Sequence, residues 1–126
     1  MRDRNRQRWY RIAAGASALV ALAILVGTLT PPEEMPQDVP GSDKLHHFMG
    51  FAALAFPMVA YRPRSALWVV PAAAAFGVLI ELLQPYFGRH RDVGDMIANT
   101  TGAMAGAALG TLCHHAFLRC RARPRG

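Results

Sequence analysis

At 126 residues the chain is the size of one domain. Hydrophobic residues make up 52% of it and charged residues 17%, where an ordinary soluble domain carries about a quarter charged residues. The net charge of +6 points at first to nucleic acid, but its distribution along the chain points elsewhere.

Arg2, Arg4, Arg6, Arg8 and Arg11 open the chain as a basic N-terminus over residues 1–11. Ile12 to Leu29 then runs without a charge. As a helix it covers roughly 27 Å, close to the hydrocarbon thickness of a bilayer. A signal peptide has the same order of basic then apolar residues. This run is longer than a usual signal core, and no small-residue cleavage site closes it, so it reads as an uncleaved anchor helix. Thr30 to Ser42, with four prolines and three acids, excludes a regular helix and reads as a loop.

A second helix is expected over about 44–61, with Ser42 or Asp43 as its N-cap. "YRPRS" makes a tight turn, and a third helix follows over about 66–84, apolar except for Glu81. Pro85 ends it or tips its last turn. Asp92 or Asp95 can start a fourth helix, expected over about 95–118, and residues 119–126 form a basic tail. Pro57 and Pro71 lie inside helices, which membrane helices tolerate when neighbours satisfy the freed backbone. The expected fold is therefore all-α: a bundle of four transmembrane helices occupying residues 12–118.

With that topology, 11 of the 14 basic residues fall on one side, while Lys44, Arg89, Arg91 and seven of the eight acids fall on the other. This asymmetry places both termini in the cytoplasm and the protein in the cytoplasmic membrane. The basic ends are expected to meet membrane lipids, with no nucleic acid as partner. Cys113 and Cys120 are not in CxxC spacing and read as a reduced, structural pair. Gly102, Gly106 and Gly110 recur at four-residue spacing, which lets another backbone come close. Packing inside the bundle is the first reading of that stripe and a homo-oligomer the second.

The outer ends of helices two, three and four gather the polar residues. Helix two offers Asp43, Lys44, His46 and His47. The two histidines are adjacent, so only one faces the bundle, and His47 is the choice because it lies four residues after Asp43. Helix three offers Glu81 and Gln84 on one face. The loop offers Arg89, and helix four offers Asp92, Asp95 and Asn99 on one stripe. Polar groups at membrane depth are costly unless paired or hydrated. Glu81 needs a basic partner from Arg89, Lys44 or Arg91, or a proton. A metal set of His47, Glu81, Asp92 and Asp95 would suit zinc or manganese. The bases close by and the lack of a compact ligand motif argue against it, so neither metal nor cofactor is expected.

"SDKLHHFMGF" resembles the D-K-x-x-H-F signature of the VanZ-like family. "ELLQPYFGRHRDVGDMIANTTG" resembles its second block, E-x-x-Q followed by G-R-x-x-D-x-x-D-x-x-x-N-x-x-G. The matching positions are Asp43, Lys44, His47, Phe48, Glu81, Gln84, Arg89, Asp92, Asp95, Asn99 and Gly102. The resemblance implies a multi-pass membrane protein of a family named for a member linked to teicoplanin (glycopeptide) resistance. It supports Asp43, Lys44, His47, Glu81, Gln84, Arg89, Asp92, Asp95 and Asn99 as a ligand site, with a cell-envelope lipid or glycopeptide-related ligand. Glu81, Asp95 and His47 are the candidates for acid–base work on such a component. No nucleophile stands out, and whether the chain is an enzyme stays open. The alternative is a non-catalytic membrane scaffold whose polar cluster is a structural ion-pair network.

Overall fold

The computed structural model describes residues 2–34 and 41–122. Part of the proline-rich loop (35–40) and the end of the basic tail (123–126) lie outside the described residues. The structure is all-helical: α1 (Arg2–Leu29), α2 (Asp43–Tyr61), α3 (Ala66–Leu83) and α4 (Val93–Ala122). Short 3-10 turns at Pro32–Glu34, Pro63–Ser65 and Gln84–Phe87 lie in the three connections.

The ends of these helices follow local chemistry. Ser42 caps α2 by accepting a hydrogen bond from the Leu45 N–H at 3.2 Å. Ser65 donates its hydroxyl to the Met58 and Arg62 carbonyls and so closes the α2–α3 turn. Pro85 tightens the end of α3 into a 3-10 turn, which stops at Gly88 in the left-handed region (φ 75°). Asp92 starts α4: its carboxylate accepts the Gly94 N–H, and its carbonyl accepts the N–H groups of Asp95 and Met96. Two helices outrun their expected bounds. α1 takes in the basic N-terminus from Arg2, and α4 continues to Ala122.

α2 is the hub of the bundle and touches α1, α3 and α4, while α1 and α4 do not meet among the described residues. The core gathers Phe51, Ala55 and Val59 of α2 with Val69 and Ile80 of α3 and Ala103 of α4. α2 and α4 run parallel and very close. A Cβ built on Gly102 would lie 2.2 Å from the Phe48 carbonyl oxygen, and one on Gly106 would lie 2.1 Å from that of Ala52. Those distances admit no side chain, so the glycine stripe serves the α2–α4 contact.

The outside of the bundle is apolar: Leu19, Leu22, Val26, Leu67 and Leu112 are all more than half exposed. A surface of that kind is a liability in water and ordinary in lipid. By length and composition, two helical stretches are apolar enough to cross a membrane, Asp3–Leu29 and Pro63–Phe87. α2 and α4 fall short for a chemical reason. The first turn of α2 carries Asp43, Lys44, His46 and His47. α4 spends its apolar positions on glycine, alanine and threonine and carries Asp95 and Asn99.

The α2–α4 contact gives a direct test. Gly106→Ala is expected to destabilise the protein by about 1–3 kcal/mol, the usual cost of overpacking. Gly15→Ala, where a Cβ meets nothing within 4 Å, is expected to be neutral or stabilising by up to about 1 kcal/mol. Thermal unfolding of the two variants in one detergent reads both.

Candidate functional site at one end of the bundle

The site lies where the N-terminal ends of α2 and α4 meet the C-terminal ends of α1 and α3. Five polar side chains are buried there: His47, Glu81, Gln84, Asp95 and Asn99, none more than 4% exposed. They come from three helices, and the close α2–α4 packing sets their mutual positions. His47 points inward while His46 is exposed, as the four-residue step from Asp43 requires.

Asn99 and His47 form the centre. The His47 Nδ1 lies 2.8 Å from Asn99 Oδ1. Nδ1–H donates to that oxygen, and Nε2 turns toward Asp95 Oδ2 at 3.8 Å, beyond hydrogen-bond range. Asn99 has room because Gly77 of α3 has no side chain; a Cβ there would lie 2.9 Å from Asn99 Nδ2. Lys44 bridges Asp92 at 2.5 Å and Asp95 at 3.2 Å. Its stem passes Gly94, where a Cβ would come within 2.6 Å of Lys44 Cε. The Lys44 ammonium, helped by the Gly94 N–H, holds the Asp92 carboxyl below its ordinary range. A depressed carboxylate pKa means that this bridge is present above the ordinary value and is lost as pH falls through the lowered one.

Arg89 and Gln84 do something different. Arg89 lies 3.6 Å from Asp43 and donates to the carbonyls of Gly27 and Thr30 at 3.5 and 3.3 Å. Gln84 donates to the Thr28 carbonyl at 3.3 Å. These are carbonyls at the end of α1, which have no partner within their own helix, and a cation suits that end of the helix dipole. Glu81 has no ion pair with Arg89, Lys44 or Arg91 among the described residues, which leaves the other expected alternative, a proton. Its Oε2 accepts the Asp92 N–H at 3.0 Å, and its Oε1 has no hydrogen-bond partner among the described residues. Gln84 Oε1 and Asn99 Nδ2 are also buried without a partner. Each orphan of this kind costs about 1–3 kcal/mol.

Beside the cluster lies a cavity of about 210 Å³, lined by Ile24, Gly50, Phe51, His47 and Arg89 among others. A larger hollow of about 530 Å³ opens at the opposite end near Tyr10, Tyr61 and Trp68, away from all five buried polar side chains. Those five buried polar side chains all lie at the end where α2 and α4 begin.

All nine expected ligand-site residues come together here. Asp43, Lys44 and Asp92 form a half-exposed rim, with 58%, 53% and 48% of their side chains accessible. The other six are buried or nearly so. The family described as VanZ/LLP1 matches residues 9–114, most of the chain and all of this site. The chain belongs to the VanZ/LLP1 family. No curated protein and no solved structure matches it. Within this VanZ/LLP1 protein, the part of the site invisible in the sequence is the C-terminal end of α1. Its contribution is backbone carbonyls, which carry no residue signature. Gly77 and Gly94, which make room for Asn99 and Lys44, were equally silent.

Asn99→Ala strands the His47 N–H in the core. It is expected to cost about 1–3 kcal/mol, read by thermal unfolding, and to free the imidazole to rotate. NMR of labelled histidine would show the second effect as loss of a single Nδ1–H tautomer.

Proposed function

We propose that this VanZ/LLP1 protein spans the cytoplasmic membrane four times with both termini inside. Its site then opens at the outer face and engages the polar headgroup of a lipid-linked cell-envelope component. The observation that carries this reading is Glu81: a fully buried carboxylate with one oxygen unpartnered, kept where an apolar residue would pack at less cost. The cluster holds four carboxyl groups (Asp43, Glu81, Asp92, Asp95) and two cations (Lys44, Arg89). Two of its three buried unpartnered atoms among the described residues, Glu81 Oε1 and Gln84 Oε1, are oxygens and the third, Asn99 Nδ2, is a donor, which favours a headgroup that both donates and accepts, such as one bearing hydroxyls. The neighbouring cavity offers an apolar wall for the hydrocarbon that follows such a headgroup. His47 supplies a base at Nε2, oriented by Asn99. A protein that binds or modifies an envelope precursor changes what a glycopeptide antibiotic meets, which is how the family's link to teicoplanin resistance would enter.

The second reading is a non-catalytic scaffold. It is favoured by the Lys44 bridge to Asp92 and Asp95 and by the approach of Arg89 to Asp43. The two readings predict opposite signs. A site held for a ligand gives Glu81→Gln and Asp95→Asn variants that melt at or above the wild type, by up to about 2 kcal/mol. They also lose the envelope lipid seen on the wild type by native mass spectrometry. A structural ion-pair network instead makes Asp95→Asn cost about 3–5 kcal/mol.

Topology is tested separately. A reporter inserted within residues 35–40 is expected to read the outer side, and a cytoplasmic reading would move the site to the other face.

A further inference from the structure

We propose that Asp43, His47 and Asp95 bind one divalent first-row metal cation. One donor atom from each of the three lies within 4.8 Å of the others. Zinc takes nitrogen and oxygen ligands at about 2.0–2.2 Å, so a small inward turn of these side chains encloses an ion. Asp43, on the exposed first turn of α2, has the freedom to make that turn.

Each of the three is also held from behind. The His47 Nδ1–H is taken by Asn99 Oδ1 at 2.8 Å. Asp95 Oδ1 is taken by Lys44 at 3.2 Å. Asp43 Oδ1 faces Arg89 at 3.6 Å. This leaves His47 Nε2 and Asp95 Oδ2 turned toward each other, with the Asp43 carboxylate beside them at the exposed rim. Metal ligands are ordinarily fixed in this way, each through its outer atom. Lys44 and Arg89 therefore do not stand in the cation's place; they orient its ligands.

Two further observations point to a cation. His47 Nε2 and Asp95 Oδ2 face each other at 3.8 Å. With Nδ1 protonated, both are acceptors, and their separation is too long for a hydrogen bond yet right for two ligands of one ion. Glu81 is the second. Its unpartnered Oε1 is fully buried, and its Oε2 accepts the N–H of Asp92, which Lys44 ties to Asp95. A buried unpartnered oxygen joined through Asp92 to the same network is the kind of group that a metal-bound water would satisfy. His90 and Arg91 are exposed in the loop outside the cluster. One imidazole and two carboxylates, with no sulfur, suit zinc or manganese. The reading goes beyond the envelope-ligand proposal and needs no lipid; with the ion bound, His47 Nε2 is its ligand and no longer the base.

The test uses the full-length protein in detergent, stripped with chelator and titrated with Zn²⁺ and, separately, with Mn²⁺. Binding is read by calorimetry and by the manganese EPR signal. The expected result is one saturable equivalent of at least one of the two metals, with a raised melting temperature. Asp43→Asn, at an exposed position, is expected to keep the fold and weaken binding about tenfold or more; His47→Gln is expected to do the same. A Cys113→Ser, His115→Ala variant is expected to bind like the wild type. Uptake of neither metal, or wild-type affinity in Asp43→Asn, would overturn the proposal. Loss of binding in the Cys113→Ser, His115→Ala variant would do so too, by moving the metal to the far end of α4.

Discussion

The contact of α4 glycines with the α2 backbone is the constraint on which the rest depends. Gly102 faces Phe48, Gly106 faces Ala52 and Gly110 faces Phe56, so the parallel helices advance together in steps of four. Carried one turn toward their N-termini, that register brings Asn99 beside His47 and Asp95 beside Lys44. A bulky residue on the stripe would push the helices apart and open every polar distance in the site at once. The glycines and the polar residues are thus one device: the first sets a backbone separation that the second needs in order to touch.

The same closeness explains why the site is electrostatically lopsided. Two helices that run parallel bring their N-terminal ends together, and those ends favour negative charge. Asp43, Asp92 and Asp95 all sit there, in first turns or just before them. α1 and α3 run the other way and bring C-terminal ends to the same place. Arg89 and Gln84 answer those ends by donating to α1 carbonyls. The acids therefore follow the helix starts, and Arg89 follows a helix end. The cations that remain cannot neutralise Glu81, which lies against the backbone N–H of Asp92 instead.

Much of this was legible in the sequence, and the failures are instructive. Four helices, the cap at Ser42 and the inward choice of His47 over His46 follow from apolar runs and helical spacing, because those signals are local. The nine site residues come together because one motif block opens α2 and the other spans the α3–α4 turn, and α2 and α4 run parallel, so both blocks fall at the same end. What was not legible involves partners without side-chain identity. Gln84 and Arg89 read as ligand or interhelix groups, yet they bind the backbone of α1. Glu81 was expected to find a base or keep a proton, and a single residue's charge says nothing of which cation its neighbours have already claimed. Lys44 was already engaged by Asp92 and Asp95.

The hydropathy of the four helices carries the last step. α1 and the stretch around α3 are apolar enough to cross a membrane on composition alone, and α2 and α4 are not. In an isolated helix that difference would argue against spanning. In this bundle the polar positions of α2 and α4 are turned toward each other: His47, Asp95 and Asn99 are buried, while Met49, Met104, Leu109 and Leu112 are exposed. What lipid would meet is the outer face of each helix rather than its average composition. A window that averages around the helix charges α2 and α4 for side chains turned into the bundle, so the low average of the helices carrying the site is compatible with the proposed four-span topology.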